Sequence, residues 1–176
     1  MTELNEPDRG SPEPLRRRVV EWADPAIPAR AAEGLAGIDF LRAMVRGDVP
    51  TPPVAVLLGT QIVSVEPGRA VFELEVGEHL YNPIGSVHGG IISTVLDSAM
   101  GCAVHSHLAR GQAYTTLELK VNFDRALTVA VPVVRAEADI VTSGRRVATA
   151  VGRLVGPDGT LYAHASTTCL VFDARG

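Results

Sequence analysis

From Ala31 to Arg46 the apolar residues Leu35, Ile38, Leu41, Met44 and Val45 recur at steps of three or four, the period of a helix with one face on a core. Gly47 and Pro50 end that segment. Beyond Pro52-Pro53 the period changes. Val71, Leu74 and Val76 come close to alternating within Arg69 to Val76, which predicts a strand paired with Gln61 to Glu66 through a turn at Pro67-Gly68. Four more strand-like runs follow, Tyr114 to Phe123, Val131 to Thr142, Arg146 to Val155 and Leu161 to Phe172. Turn signals at Ser143-Gly144 and Pro157-Asp158-Gly159 predict antiparallel pairing of consecutive strands.

Between the hairpin and this series, Gly89 to Ala109 is apolar around most of its circumference and too long for a strand. Asp97 near its middle, with Ser93, Thr94, Ser98 and His105, makes a membrane span expensive, at about 2.5 to 3.5 kcal/mol for the carboxylate alone. A helix of that length runs about 30 Å, close to the length of a strand of nine or ten residues. The predicted architecture is therefore α+β, with a curved antiparallel sheet wrapped around a long central helix. Pro7, Pro12, Pro14, Pro25 and Pro28 among charges predict an irregular arm over residues 1–30, with one helical turn near Arg16 to Trp22. The expected organisation is that arm, an amphipathic helix within 31–50, and one domain over 51–176.

Composition narrows the function classes. The chain has 176 residues, 46% of them hydrophobic and 20% charged, as expected of a packed body. A net charge of -4 argues against nucleic acid and anionic membranes as partners. The basic run Arg16-Arg17-Arg18 reads as a solvated tail. Cys102 and Cys169 have neither the spacing of a zinc site nor the density of a disulfide scaffold, so both read as reduced core residues, with no metal. The start of the chain lacks a basic flank leading into an apolar stretch, from which a cytoplasmic location is expected.

Candidate chemistry concentrates between Asn82 and Gly101. His88-Gly89-Gly90 opens the long helix, where the first amides have no intrahelical partner and a close approach to the backbone is possible, an arrangement suited to an oxyanion. Asp97 lies on the same face as Gly90, Thr94 and Gly101, and small residues around a carboxylate suggest a groove. Gly89 and Asp97 are eight residues apart, about 12 Å along one axis, whereas oxyanion donor and nucleophile or base must meet at one carbonyl. Two copies with these helices antiparallel would bring Asp97 of one to the Gly89 and Gly90 amides of the other. His105 and His107 read as solvent-facing or dipole-stabilising groups, and His79 and His164 have no evident partner.

Asn82-Pro83, Val87-His88-Gly89-Gly90 and Leu96-Asp97-Ser98-Ala99-Met100-Gly101 together resemble the signature of hotdog-fold thioesterases of the phenylacetic-acid-degradation type, related to 4-hydroxybenzoyl-CoA thioesterase. The resemblance runs from about Gly59 to Phe172. It implies a hotdog homodimer or dimer of dimers that hydrolyses an acyl- or aryl-CoA, with coenzyme A as part of the substrate and no cofactor. It implies Asp97 as nucleophile or general base, His88 and Gly89 as the oxyanion site, and Asn82 as the amide that precedes the histidine. It also implies an assisting hydroxyl from Thr116, with Thr115 as the fallback. Gly101 stands where some members carry Ser or Thr. Arg125, Arg145 and Arg146 at strand ends are candidates for the phosphates of coenzyme A. The alternatives are a hydratase or dehydratase on the same fold and a non-catalytic acyl-CoA binder.

Overall fold

The computed structural model describes residues 15–174. Three short helices come first, α1 at Ala26–Gly34, α2 at Gly37–Arg46 and α3 at Pro53–Leu58. The single helix expected over 31–46 is thus broken near Leu35 and Ala36, both extended rather than helical. Pro28 stands in the first turn of α1, where a missing amide costs nothing, so proline there opens a helix instead of excluding one. The same rule accounts for α3, which begins at Pro53 within the expected break. Gly47 and Gly59 close α2 and α3 in the left-handed conformation, at φ 79° and 74°. No helical turn forms at Arg16 to Trp22. Of that run, Arg18 donates to the Leu57 carbonyl at 2.6 Å and Arg16 pairs with Glu78 at 2.8 Å, so these two side chains are engaged rather than merely solvated.

Six strands follow, β1 at Thr60–Glu66, β2 at Arg69–Glu75, β3 at Gln112–Phe123, β4 at Val133–Ser143, β5 at Val147–Val155 and β6 at Leu161–Asp173. Between β2 and β3 lies α4, Gly89–His105, which ends four residues sooner than the expected Ala109. All strand pairs are antiparallel, in the order β1-β2-β4-β5-β6-β3. One expected pairing fails: β3 joins β6, not β4, because α4 and the chain after it carry β3 to the far edge.

Alternation explains how the curved sheet holds the helix. Ala70, Phe72 and Leu74 of β2, Val134, Ala136 and Ala138 of β4, and Ala148, Ala150 and Leu154 of β5 all face inward and are buried. Many of these are alanine, which lets α4 lie close to the strands. Gly152 extends the same floor, since a Cβ there would sit 3.0 Å from Cγ of Met100. Leu96 and Met100 are fully buried above it, each side chain worth about 1.5 to 3 kcal/mol. The start of α2 rests on the end of α4: Gly37 donates its amide to the Leu108 carbonyl, and a Cβ on Gly37 would collide with the His105 carbonyl.

Candidate active site

At the start of α4 the His88 ring caps the helix, its Nδ1 accepting the Gly90 amide at 2.9 Å. An accepting Nδ1 carries no proton, so the neutral ring bears its hydrogen on Nε2. The expectation that Gly89 and Gly90 both offer amides is corrected by this contact, since the Gly90 N-H is already taken. The Gly89 amide, first of the helix, has no hydrogen-bond partner among the described residues. A Cβ at Gly89 would stand 3.0 Å from the Phe123 ring.

Asn82 spends its carboxamide on its own loop. Its Oδ1 accepts the amides of Ile84 at 3.0 Å and Ser86 at 3.3 Å, and its Nδ2 donates to Ser86 Oγ at 3.2 Å, folding the loop around Gly85. That loop carries Val87 to the Leu127 carbonyl and His88 to the Leu80 carbonyl, which fixes where α4 starts. The amide expected to act on substrate instead shapes the entrance. Asn82, Gly89, Ile92, Phe123, Arg125 and Leu127 line a cleft of about 340 Å³ there.

Two turns into α4, the half-buried Asp97 accepts a hydrogen bond at 2.9 Å from Thr116 Oγ1 on β3. Thr115 faces the other side of the sheet, opposite Leu170, so the fallback hydroxyl is excluded by the pleat. A bulge at Leu117 then shifts the register, with Thr116 opposite Cys169 and Glu118 opposite Thr168. Tyr114 and Thr116 therefore face the helix before the bulge and Leu119 and Val121 after it. The Thr94 hydroxyl donates to the Gly90 carbonyl at 2.9 Å, and Ser93 and Ser98 make the same contact one turn back, so none of the three is committed to Asp97.

Gly101 does not open a groove. A Cβ there would collide with the Tyr114 hydroxyl, so the space this glycine leaves is filled by a phenol. Nothing in the sequence singles out Tyr114 or His105 as a site residue, and His105 is not solvent-facing. Its ring lies between Phe40 at 5.4 Å and Tyr114 at 5.6 Å. Burial lowers the His105 pKa, and burial first, then nearby Cys102, Cys169 and Asp97, hold the Tyr114 phenol well above its usual range. Burial pushes the Cys102 thiol up to about 12, with Asp97 adding to the rise. The two cysteines are free. A chamber of about 450 Å³ opens on the neighbouring face of α4, bounded by α2, α3, β1, β2 and the Ser98, Cys102 and His105 side of the helix; Asp97 does not line it.

The remaining candidates separate. Arg125 stands at the Gly89 cleft, next to Asp124, whose carboxylate is 2.8 Å from His164. Arg145 and Arg146 occupy the β4-β5 turn near Leu170, at the sheet end where α4 finishes, and so do not share a site with Arg125 in one chain. His79 has a partner after all, Arg18 at 2.7 Å, and its pKa is lowered by burial and by that guanidinium. His107 is exposed. Among the described residues no helix is long and apolar enough to cross a membrane, and no group of three or more His, Cys, Asp or Glu could hold a metal ion.

A model of the thioesterase superfamily matches residues 84–163. Among solved structures, the phenylacetic acid degradation-related protein of Ralstonia eutropha JMP134 is 32% identical, covering 74% of this chain and 98% of that one at a TM-score of 0.67. A thioesterase family protein from Silicibacter pomeroyi is 29% identical, covering 76% and 98% at a TM-score of 0.67. The 1,4-dihydroxy-2-naphthoyl-CoA hydrolase of Listeria monocytogenes serotype 1/2a (strain 10403S) is 34% identical over 65 residues, 37% of this chain. The match spans 53% of that curated relative, about half its length.

Proposed function

The chain belongs to the thioesterase superfamily and has its hotdog fold, and from that premise we propose that it hydrolyses a CoA thioester to a free acid and coenzyme A. The observation that carries this reading is the Thr116 hydrogen bond to Asp97 Oδ1, which orients a half-buried carboxylate in the middle of the central helix. The bond occupies one carboxylate oxygen and leaves Oδ2 to add to the thioester carbonyl or to take a proton from water. Either route makes a tetrahedral oxyanion and then breaks the C-S bond, releasing the thiolate of coenzyme A; attack by water gives the free acid directly, whereas attack by Oδ2 leaves an acyl anhydride on Asp97 that water then opens to the free acid. The unpartnered Gly89 amide and the positive end of α4 suit the oxyanion, and His88, by capping the helix and engaging Gly90, positions that amide.

Within one chain Asp97 and Gly89 stand about 12 Å apart along the axis, so the active unit we propose is a homodimer with antiparallel α4 helices. The free edge of β3, twelve residues long, supports such pairing, because a second copy of the same strand would satisfy its outer amides and carbonyls. A homotetramer built from two such dimers remains an expectation of the family resemblance. Arg125 beside the Gly89 cleft is the arginine best placed for the phosphates of coenzyme A. The naphthoyl-CoA substrate in the name of the Listeria relative also supports an acyl-CoA.

Thiol release from a panel of acyl-CoAs tests the assignment. Asp97→Asn should lower turnover roughly a hundredfold or more with an unchanged circular dichroism spectrum. Unchanged turnover ends it.

A further inference from the structure

Strand β3 serves two places on the central helix. Thr116 reaches Asp97, and the ring of Phe123 reaches Gly89. These two residues are an odd number of positions apart, so in a regular strand they would point to opposite sides and one would be turned away from α4. The bulge at Leu117 removes that conflict by adding one residue between them. Beyond it Leu119, Val121 and Phe123 stand opposite Thr167, Ala165 and Ala163, all buried on the helix side of β6. Phe123 is thereby aimed at the start of α4.

The ring ends on the helix rather than in the core. Its Cζ, Cε1 and Cε2 would lie 3.0, 3.3 and 3.4 Å from a Cβ at Gly89, so the far edge of the ring closes on the glycine. That edge is the positive side of the ring quadrupole and suits an anion forming next to it. Phe123 is 55% exposed, whereas Val87, Ile92 and Leu127, which line the same cleft, are buried. A half-exposed phenylalanine is common in itself. This one is exposed into a cleft lined also by Gly89, whose amide has no partner among the described residues. Its place is fixed from behind: the Asp124 and Arg125 amides both donate to the Tyr162 carbonyl, at 2.8 and 3.2 Å, and the Leu127 carbonyl accepts the Val87 amide at 2.9 Å. One loop therefore holds the ring and the start of α4 together.

We infer that Phe123 is a positioning residue for the thioester: its ring, pressed on Gly89, is the wall that keeps water from the Gly89 amide and sets the side from which the carbonyl oxygen reaches it. The inference rests on the thioesterase reading and adds a residue to it. A hydrogen bond from an amide to a developing oxyanion gains strength as water is excluded, because the surrounding dielectric falls. Ring carbon in contact with the glycine takes the place of solvent that would compete for the N-H. In the antiparallel homodimer, each site is then bordered by Phe123 from the chain that gives the amide and by Thr116 from the chain that gives the acid, both carried by β3.

The test compares the wild-type chain with Phe123→Ala, Phe123→Leu, Gly89→Ala and the Gly89→Ala/Phe123→Ala double variant. Thiol release is followed with the best hydrolysed of acetyl-CoA, hexanoyl-CoA and benzoyl-CoA, and calorimetric titration uses coenzyme A alone, which has no carbonyl. The ring is half exposed, so folding should survive its removal, as circular dichroism will show. Phe123→Ala should lower kcat roughly tenfold with KM changed less than about threefold, and Phe123→Leu should recover most of the loss. Affinity for coenzyme A should stay within about twofold of wild type in both. Gly89→Ala keeps its N-H but puts a methyl where the ring stands, so it should lose about as much as Phe123→Ala, and the double variant should be no worse than either single one. Unchanged kcat in Phe123→Ala, losses at the two positions that simply multiply, or coenzyme A affinity falling in step with kcat/KM would each overturn the inference and leave the thioesterase reading standing. Absence of thiol release by the wild-type chain from every compound sinks the thioesterase reading and the inference with it.

Discussion

Thr116 and Asp97 form the contact on which the proposed chemistry turns, and the hydroxyl can be removed without changing the shape of the side chain. A hydrogen bond to a charged group is worth about 1.5 to 3 kcal/mol, so Thr116→Val should lower kcat by roughly tenfold to a hundredfold. Thr116→Ser should recover most of that loss, and steady-state kinetics of the pair separate orientation of the carboxylate from packing. Asp97 and Gly89 stand out as candidates in the sequence because a carboxylate in an apolar helix and a glycine at a helix start each have a local cause, whereas Thr116 is pointed to by the family resemblance and its contact with Asp97 becomes visible only in the fold. Gly101, Gly90 and Asn82 mislead for one shared reason. A glycine or a short amide shows that space or a hydrogen bond is needed, and only the fold shows that Tyr114, His88 and the Ser86 loop already supply it.

At the scale of elements, the periods of the hairpin, the central helix and the last three strands are legible because one face of each is buried. The helices α1 and α3 are not, since a proline in a first turn looks the same in sequence as a proline that breaks a helix. The bulge at Leu117 is equally hidden, because Tyr-Thr-Thr-Leu-Glu-Leu-Lys-Val fits either face until its partner strand is known. The arm before α1 contributes a specific contact, in which Arg18 holds the last carbonyls of α3, Val56 at 3.4 Å and Leu57 at 2.6 Å. Because that guanidinium is exposed, Arg18→Ala should cost only about 1 kcal/mol, read as a lower urea midpoint with unchanged slope. A shift too small to measure would mean that α3 is held by its apolar contacts alone.

For the whole molecule, the proposed pairing makes a prediction that a one-chain site does not. Gly89 opens α4 after a residue at φ -61° and ψ 132°, a geometry that accepts proline next, so Gly89→Pro should remove the amide and keep the helix. Homodimers of Gly89→Pro and of Asp97→Asn should both be nearly inactive. Refolded together in equal amounts, they should recover about a quarter of wild-type turnover, since half the dimers are mixed and each mixed dimer holds one intact site. No recovery would place donor and acid in the same chain. The missing methyl at Gly37 has a different reach. With no side chain to hold it off, α2 starts directly on the His105 carbonyl, so the roof of the chamber rests on the end of the central helix. Any larger residue at that point would lift Phe40 and Met44 together, and the room available to a ligand is thereby set by an atom that is absent some distance from where the ligand would lie.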